Sequence, residues 1–120
     1  MRVQRESPLA YAELTQLTAS AESGLALRGT PEAGEVVARH GESEHTVAIW
    51  RGRLYGEPTS DWAVAQLARL AGMLGARLVG EDGEAYGIRD GIVEQVNGES
   101  AYEFGKLEEL IALGPSQWAS

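Results

Sequence analysis

Residues 35–52 read EVVARHGESEHTVAIWRG, and the way this stretch folds back on itself decides the architecture. EVVAR (35–39) and TVAIWRG (46–52) are rich in β-branched residues, which suit a pleated, half-buried surface. Between them lies HGESEH (40–45), which holds both histidines of the chain. A four-residue loop over 41–44 sets His40 opposite His45, Ala38 opposite Val47 and Val36 opposite Ile49. Strand alternation then gathers His40, Ala38, Val36, His45, Val47 and Ile49 on one face. Val37, Arg39, Thr46, Ala48 and Trp50 take the other. A one-residue slip breaks this pairing, because it moves every side chain to the opposite face.

Outward from this hairpin the pattern changes period. Upstream, Ser7-Pro8 reads as a helix start, with Leu9, Tyr11, Leu14, Leu17 and Ala21 at mostly three- and four-residue steps and an end near Gly24. Leu25–Leu27 suits a short strand and TPEAG a loop. Downstream, Ser60 and Asp61 cap a second helix over about 61–74, with Trp62, Ala63, Leu67, Leu70 and Leu74 on its apolar face. Ala65, Ala68, Gly72 and Ala76 form a small-residue stripe beside it. Asp82-Gly83 predicts a two-residue hairpin between RLVGE and EAYGI, and Asp90-Gly91 another turn before IVEQV. Asn97-Gly98 ends that strand. YEFGKLEELIAL then reads as a last amphipathic helix, with Phe104, Leu107, Leu110 and Ile111 inward, stopped by Gly114-Pro115. The expectation is a single α+β domain over 1–120, with about three helices and an antiparallel or mixed sheet of 4–6 strands. Residues 115–120 read as a loose tail from which Trp118 could dock. No internal repeat stands out beyond a loose likeness of the two strand sets.

Composition narrows the function. The chain has 120 residues, no cysteine and a net charge of −8. Without cysteine there is no disulfide, thiolate zinc site or cysteine nucleophile, which fits a reducing cytoplasm. No apolar signal segment opens the chain, and no apolar run reaches the roughly 20 residues that span a bilayer. The acid excess is uneven: residues 81–109 hold 9 acidic and 2 basic side chains. Such a surface repels nucleic acid and anionic membranes, and favours a basic protein partner.

Three groups compete as sites. His40 and His45, with Glu42 or Glu44, supply metal-ligand chemistry but no established metal spacing, so a hairpin tip is the plainer reading. Glu81, Asp82, Glu84 and Asp90 offer carboxylates for a calcium ion or for acid–base work, against a turn that blunts a sheet edge. Trp50, Arg51, Arg53 and Tyr55 combine aromatic and cationic groups as protein-binding hot spots do. Phosphate-loop, dinucleotide and serine-nucleophile motifs are absent. No cofactor is implied.

In size, acidity, the helix-bearing stretch SDWAVAQLARLAGMLGARLVGEDGE and lack of a catalytic signature, the chain resembles the small acidic immunity proteins that neutralise bacterial toxins. The resemblance implies a stoichiometric protein partner in the bacterial cytoplasm and no turnover, and it carries over no site residue. The expectation is a non-enzymatic protein-binding module using Trp50, Arg51, Arg53, Tyr55, Glu81, Asp82 and Glu84. The alternatives are a metal-dependent or small-ligand enzyme using His40 and His45, and a homodimer built on the small-residue stripe.

Overall fold

The computed structural model describes residues 1–116. The expected tail falls largely outside this range, and Trp118 lies wholly outside it. The described residues form strands β1 (Arg2–Gln4), β2 (Leu25–Gly29), β3 (Gly34–His40), β4 (Ser43–Trp50), β5 (Leu54–Tyr55), β6 (Arg77–Val79), β7 (Ala85–Arg89), β8 (Ile92–Asn97) and β9 (Ser100–Lys106). The helices are α1 (Tyr11–Ala19), α2 (Asp61–Met73) and α3 (Leu107–Leu113), with a 3-10 turn over Ala21–Ser23. All strands join one antiparallel sheet in the order β2-β3-β4-β5-β1-β6-β7-β8-β9.

This corrects the expected 4–6 strands to nine. Three strands account for the difference, and each has a physical reason. β1 and β5 are three and two residues long, too short to show alternation, yet they are held by neighbours on both sides. The helical spacing of YEFGKLEELIAL merges β9 with the last helix. Asn97-Gly98 does not end a strand for good: it begins a tight turn that returns the chain as β9, and α3 starts only at Leu107.

The first helix also starts later than Ser7-Pro8 suggests. Arg5 holds that segment in a loop by donating to the Ser7 and Pro8 carbonyls at 3.0 and 3.2 Å. It also donates to Glu13 at 2.6 Å, and Glu13 accepts from the Ala10 N–H at 2.9 Å, so a carboxylate caps α1. The second helix begins as expected, with the Ser60 hydroxyl accepting from Ala63 N–H at 3.1 Å.

The decisive hairpin differs in a telling way. Its turn has two residues, Gly41 and Glu42, so His40 faces Ser43 and Ala38 faces His45. A β-bulge at Val47 then shifts the register by one residue, pairing Val36 with Ala48 in place of the expected Ile49. The bulge sends Ala48 and Trp50 to the core face and Ile49 to the other, reversing the expected placement of all three. Downstream, the hairpin of β8 and β9 repeats the device. HGES (40–43) and NGES (97–100) make the same two-residue turn, and the second pair shifts register opposite Phe104 as the first does opposite Val47. In both, only the first turn residue, Gly41 or Gly98, has positive φ, at 63° each, the glycine-first pattern of a type II′ turn. The repeat lies in these two hairpins, the second of which includes β9, a strand outside the expected strand sets. The expected two-residue turn at Asp82-Gly83 is longer: Val79 pairs with Ala85, leaving 80–84 as the connection.

The helices cover one face of the sheet. One cross-sheet row there runs Trp50, Leu54, Val3, Leu78, Tyr86, Gln95, Tyr102. Against it α2 presses Val64, Ala65, Leu67 and Leu70, each 0% exposed. Ala65 and Ala68 are therefore used in packing within the chain, while Gly72 of the same stripe is exposed. The opposite row runs Arg28, Glu35, Ile49, Tyr55, Arg2, Val79, Ala85, Val96, Ala101. Among the described residues no helix covers that row. Among the described residues no helix is long and apolar enough to cross a membrane.

Leu67 is fully buried and packs from α2 against Gly56 at the end of β5. Leu67→Ala is expected to destabilise the fold by about 2–5 kcal/mol, as a lowered urea midpoint with unchanged slope.

Candidate functional site

Antiparallel strands return alternate turns to the same end of a sheet. Here the turn at 41–42, the chain leaving β5 at 56–57, the turn at 80–84 and the turn at 98–99 share one end. Glu42, Glu57, Glu81, Asp82, Glu84 and Glu99 therefore gather there from segments far apart in sequence.

Just below this rim, on the helix-free face, two of the sequence-predicted groups meet. Tyr55 pairs across strands with Ile49 on one side and Arg2 on the other. The Arg53 guanidinium lies over its ring, 5.5 Å from the centroid. Val79 follows Arg2 on the next strand, and the 80–84 turn rises from it. The Gly56 N–H donates to the Met1 carbonyl at 2.9 Å, which prolongs the pairing of β5 with β1. The result is a groove of about 410 Å³ lined by Arg2, Arg53, Tyr55, Glu57, Val79 and Glu81. It offers an aromatic face, two guanidinium groups and two carboxylates. Sequence reasoning found Arg53, Tyr55 and Glu81, but missed Arg2 and Val79, because the three-residue β1 gives no periodic signal.

The other predicted residues divide. Trp50 is only 4% exposed, its indole N–H donates to the Pro31 carbonyl at 2.9 Å, and Tyr11 packs against it. It belongs to the core, which corrects its place in a binding surface. Arg51 and Asp82 are exposed and lie outside the groove lining. Glu84 is a structural anchor of its turn. Its carboxylate lies over Gly80, where a side chain would overlap it, and accepts from Asp82 N–H at 3.1 Å and the Tyr86 hydroxyl at 3.0 Å. Its own backbone N–H is the main cause holding its carboxyl below the usual range, with the Tyr86 and Asp82 donors adding to it. Burial first, then the Glu84 hydrogen bond and charge, push the Tyr86 phenol up to about 12.

His40 and His45 form a separate cluster on the helix-covered face. Both rings stand edge-on to Trp62 at the start of α2, with centroids 6.4 and 5.4 Å away. Strand alternation sends Glu44 through to the other face, where it pairs with Arg28 at 2.9 Å. The Glu44 carboxylate and the two imidazoles therefore do not converge. Among the described residues no three His, Asp or Glu side chains gather as a metal site. The chain leaving α3 closes over this cluster. Gly114, at φ 81°, lies against the His40 ring so closely that a methyl group would overlap it, and Pro115 follows beside Trp62 and His45.

Comparison with known protein families, curated proteins and solved structures returned no match.

Gly114→Ala should destabilise the fold by more than about 1 kcal/mol, because both the backbone angle and the His40 contact oppose it. Part of that loss should return in the His40→Ala, Gly114→Ala double variant, measured by urea unfolding. In an alkaline titration followed by phenolate absorbance, one tyrosine should ionise near 12, and Glu84→Gln should lower that midpoint. Since the folded-state value is raised, this group's stabilisation is complete below the ordinary tyrosine value of 10.0 and is lost as pH rises through about 12. Glu84 works in the opposite sense: its stabilisation is present above the ordinary carboxylate range and disappears as pH falls through its lowered value.

Proposed function

We propose that the chain is a non-enzymatic protein-binding module that engages a basic partner through the helix-free groove and the acidic rim above it. The observation that carries this reading is the convergence of Arg53 and Tyr55 with Glu81 across β5, β1 and β6. An arginine-stacked tyrosine is a hot-spot composition, and it lies beside Val79, a residue buried on a face without a helix. The rim carboxylates would steer a basic partner and make association fast and sensitive to salt. An immunity protein that blocks a toxin stoichiometrically in the bacterial cytoplasm has this chemistry, and we infer that class as the fitting one. The competing enzyme reading at His40 and His45 draws no support from the geometry, since those rings are packed on Trp62 and separated from Glu44.

The test is native mass spectrometry of the protein purified gently from the cells that make it. The expected result is an added protein mass that is lost in a Glu81→Lys, Asp82→Lys, Tyr55→Ala variant. Both acidic residues are exposed, so the charge change should leave the fold intact. A bare 12.9 kDa chain, or a complex that survives these substitutions, contradicts the reading.

A further inference from the structure

The sheet has two edges, and they are treated differently. At β2, α1 packs alongside and Leu25 is buried in the core. At β9, Ser100, Ala101, Tyr102 and Glu103 are all exposed, Tyr102 at 60%. The repeated hairpin sharpens the contrast. β4, which corresponds to β9, is flanked on its far side by β5 and the connection over 56–60 before α2 begins. β9 runs directly into α3, which packs back at its Gly105 end, and among the described residues no strand pairs with its outer edge.

We propose that the open edge of β9 over Ser100–Glu103 receives an extended segment of a basic partner protein as an added strand. This rests on the reading of the chain as a protein-binding module and names how the partner is held. The register supplies the details. A two-residue turn is closed by the hydrogen-bonded pair Asn97 and Ser100, so alternation turns the backbone N–H and C=O groups of Ala101 and Glu103 away from β8. Those groups can bond an incoming backbone. The irregularity at Phe104 ends the straight edge and limits the docking stretch to these few residues.

Side chains define what the incoming strand carries. On the helix-free face the edge shows Glu103 beside Glu94, and the nearby turn carries Glu99. Glu94 is already paired with Arg89 at 3.3 Å, whereas among the described residues no ion pair engages Glu103. On the opposite face the edge shows Tyr102 stacked edge-on against Phe104, centroids 5.0 Å apart. A complementary strand therefore alternates a basic residue on the Glu103 side with an apolar one on the Tyr102 side. Pairing with a second copy of this acidic chain would instead bring a second set of Glu99 and Glu103 to the same edge, which charge repulsion disfavours.

The probe is a seven-residue peptide of alternating lysine and valine, blocked at both ends, added to the isotope-labelled full chain. The expected result is slowed amide exchange and shifted resonances at Ala101 and Glu103. The same peptide with its backbone nitrogens methylated at alternate residues keeps its charge but loses its strand donors. Its affinity should fall about tenfold or more, since about two hydrogen bonds are lost. Equal binding of both peptides overturns strand addition, because charge alone would then explain the contact. Shifts confined to the 80–84 turn and Tyr55 overturn the edge site while leaving the protein-binding reading standing. Protection of the same amides in a peptide-free dimer also overturns it, by assigning the edge to a second copy. If the peptide does not bind, the edge proposal falls, whereas the broader reading falls with a bare chain, or with a complex that survives the Glu81, Asp82 and Tyr55 substitutions, in native mass spectrometry.

Discussion

Three residues at the start of the chain hold the sheet together. β1 lies between β5 and β6, and it is the only link between the meander β2–β5 and the meander β6–β9 within the described sheet. Val3 is buried between Leu54 and Leu78, so a single side chain continues the core across the join. The backbone groups of β1 are satisfied on both sides, as buried peptide groups demand. α2 then bridges the two meanders from the covered face, with its apolar side chains against β4, β6 and β7. A strand too short to be stable alone is held by burial and by neighbours.

The same join creates the candidate site. Arg2 and Val79 place the cationic, aromatic end of β5 beside the acidic turn that follows β6. The helix-covered face has a different economy. Its polar groups are turned to structural use: Trp50 donates to Pro31, and Arg69 donates to Gln66 at 2.7 Å and to the Ser23 carbonyl, tying α2 to the 3-10 turn. The histidines flank Trp62 in the same way. What remains uncommitted lies on the helix-free face and along β9.

Much of this was legible in the sequence where a signal was long or stereochemically demanding. The capped helix from Asp61 showed through its period and its Ser60 cap, and the Asp90-Gly91 turn through two positive φ angles, 54° and 76°. The strands flanking HGESEH showed through their β-branched content. The failures have equally specific causes. One inserted residue at Val47 exchanged the faces of Ala48, Ile49 and Trp50, and no local pattern announces a bulge. Period alone could not separate β9 from α3, because Phe104, Leu107 and Leu110 have helical spacing across a strand–helix boundary. Of the site, Arg53, Tyr55 and Glu81 were visible as residue types, but their meeting depends on β1, a long-range pairing that alternation over three residues cannot encode.

The most direct measurement is native-state hydrogen exchange at the Val3 amide. If β1 is the seam of one continuous sheet, Val3 should exchange only through global unfolding, with protection close to that of Leu78 and Val36. Exchange at the rate of a fraying terminus, while the amides of β3 and β8 stay protected, would mean that the two meanders are not joined through β1, and the groove between Tyr55 and Glu81 would lose its foundation.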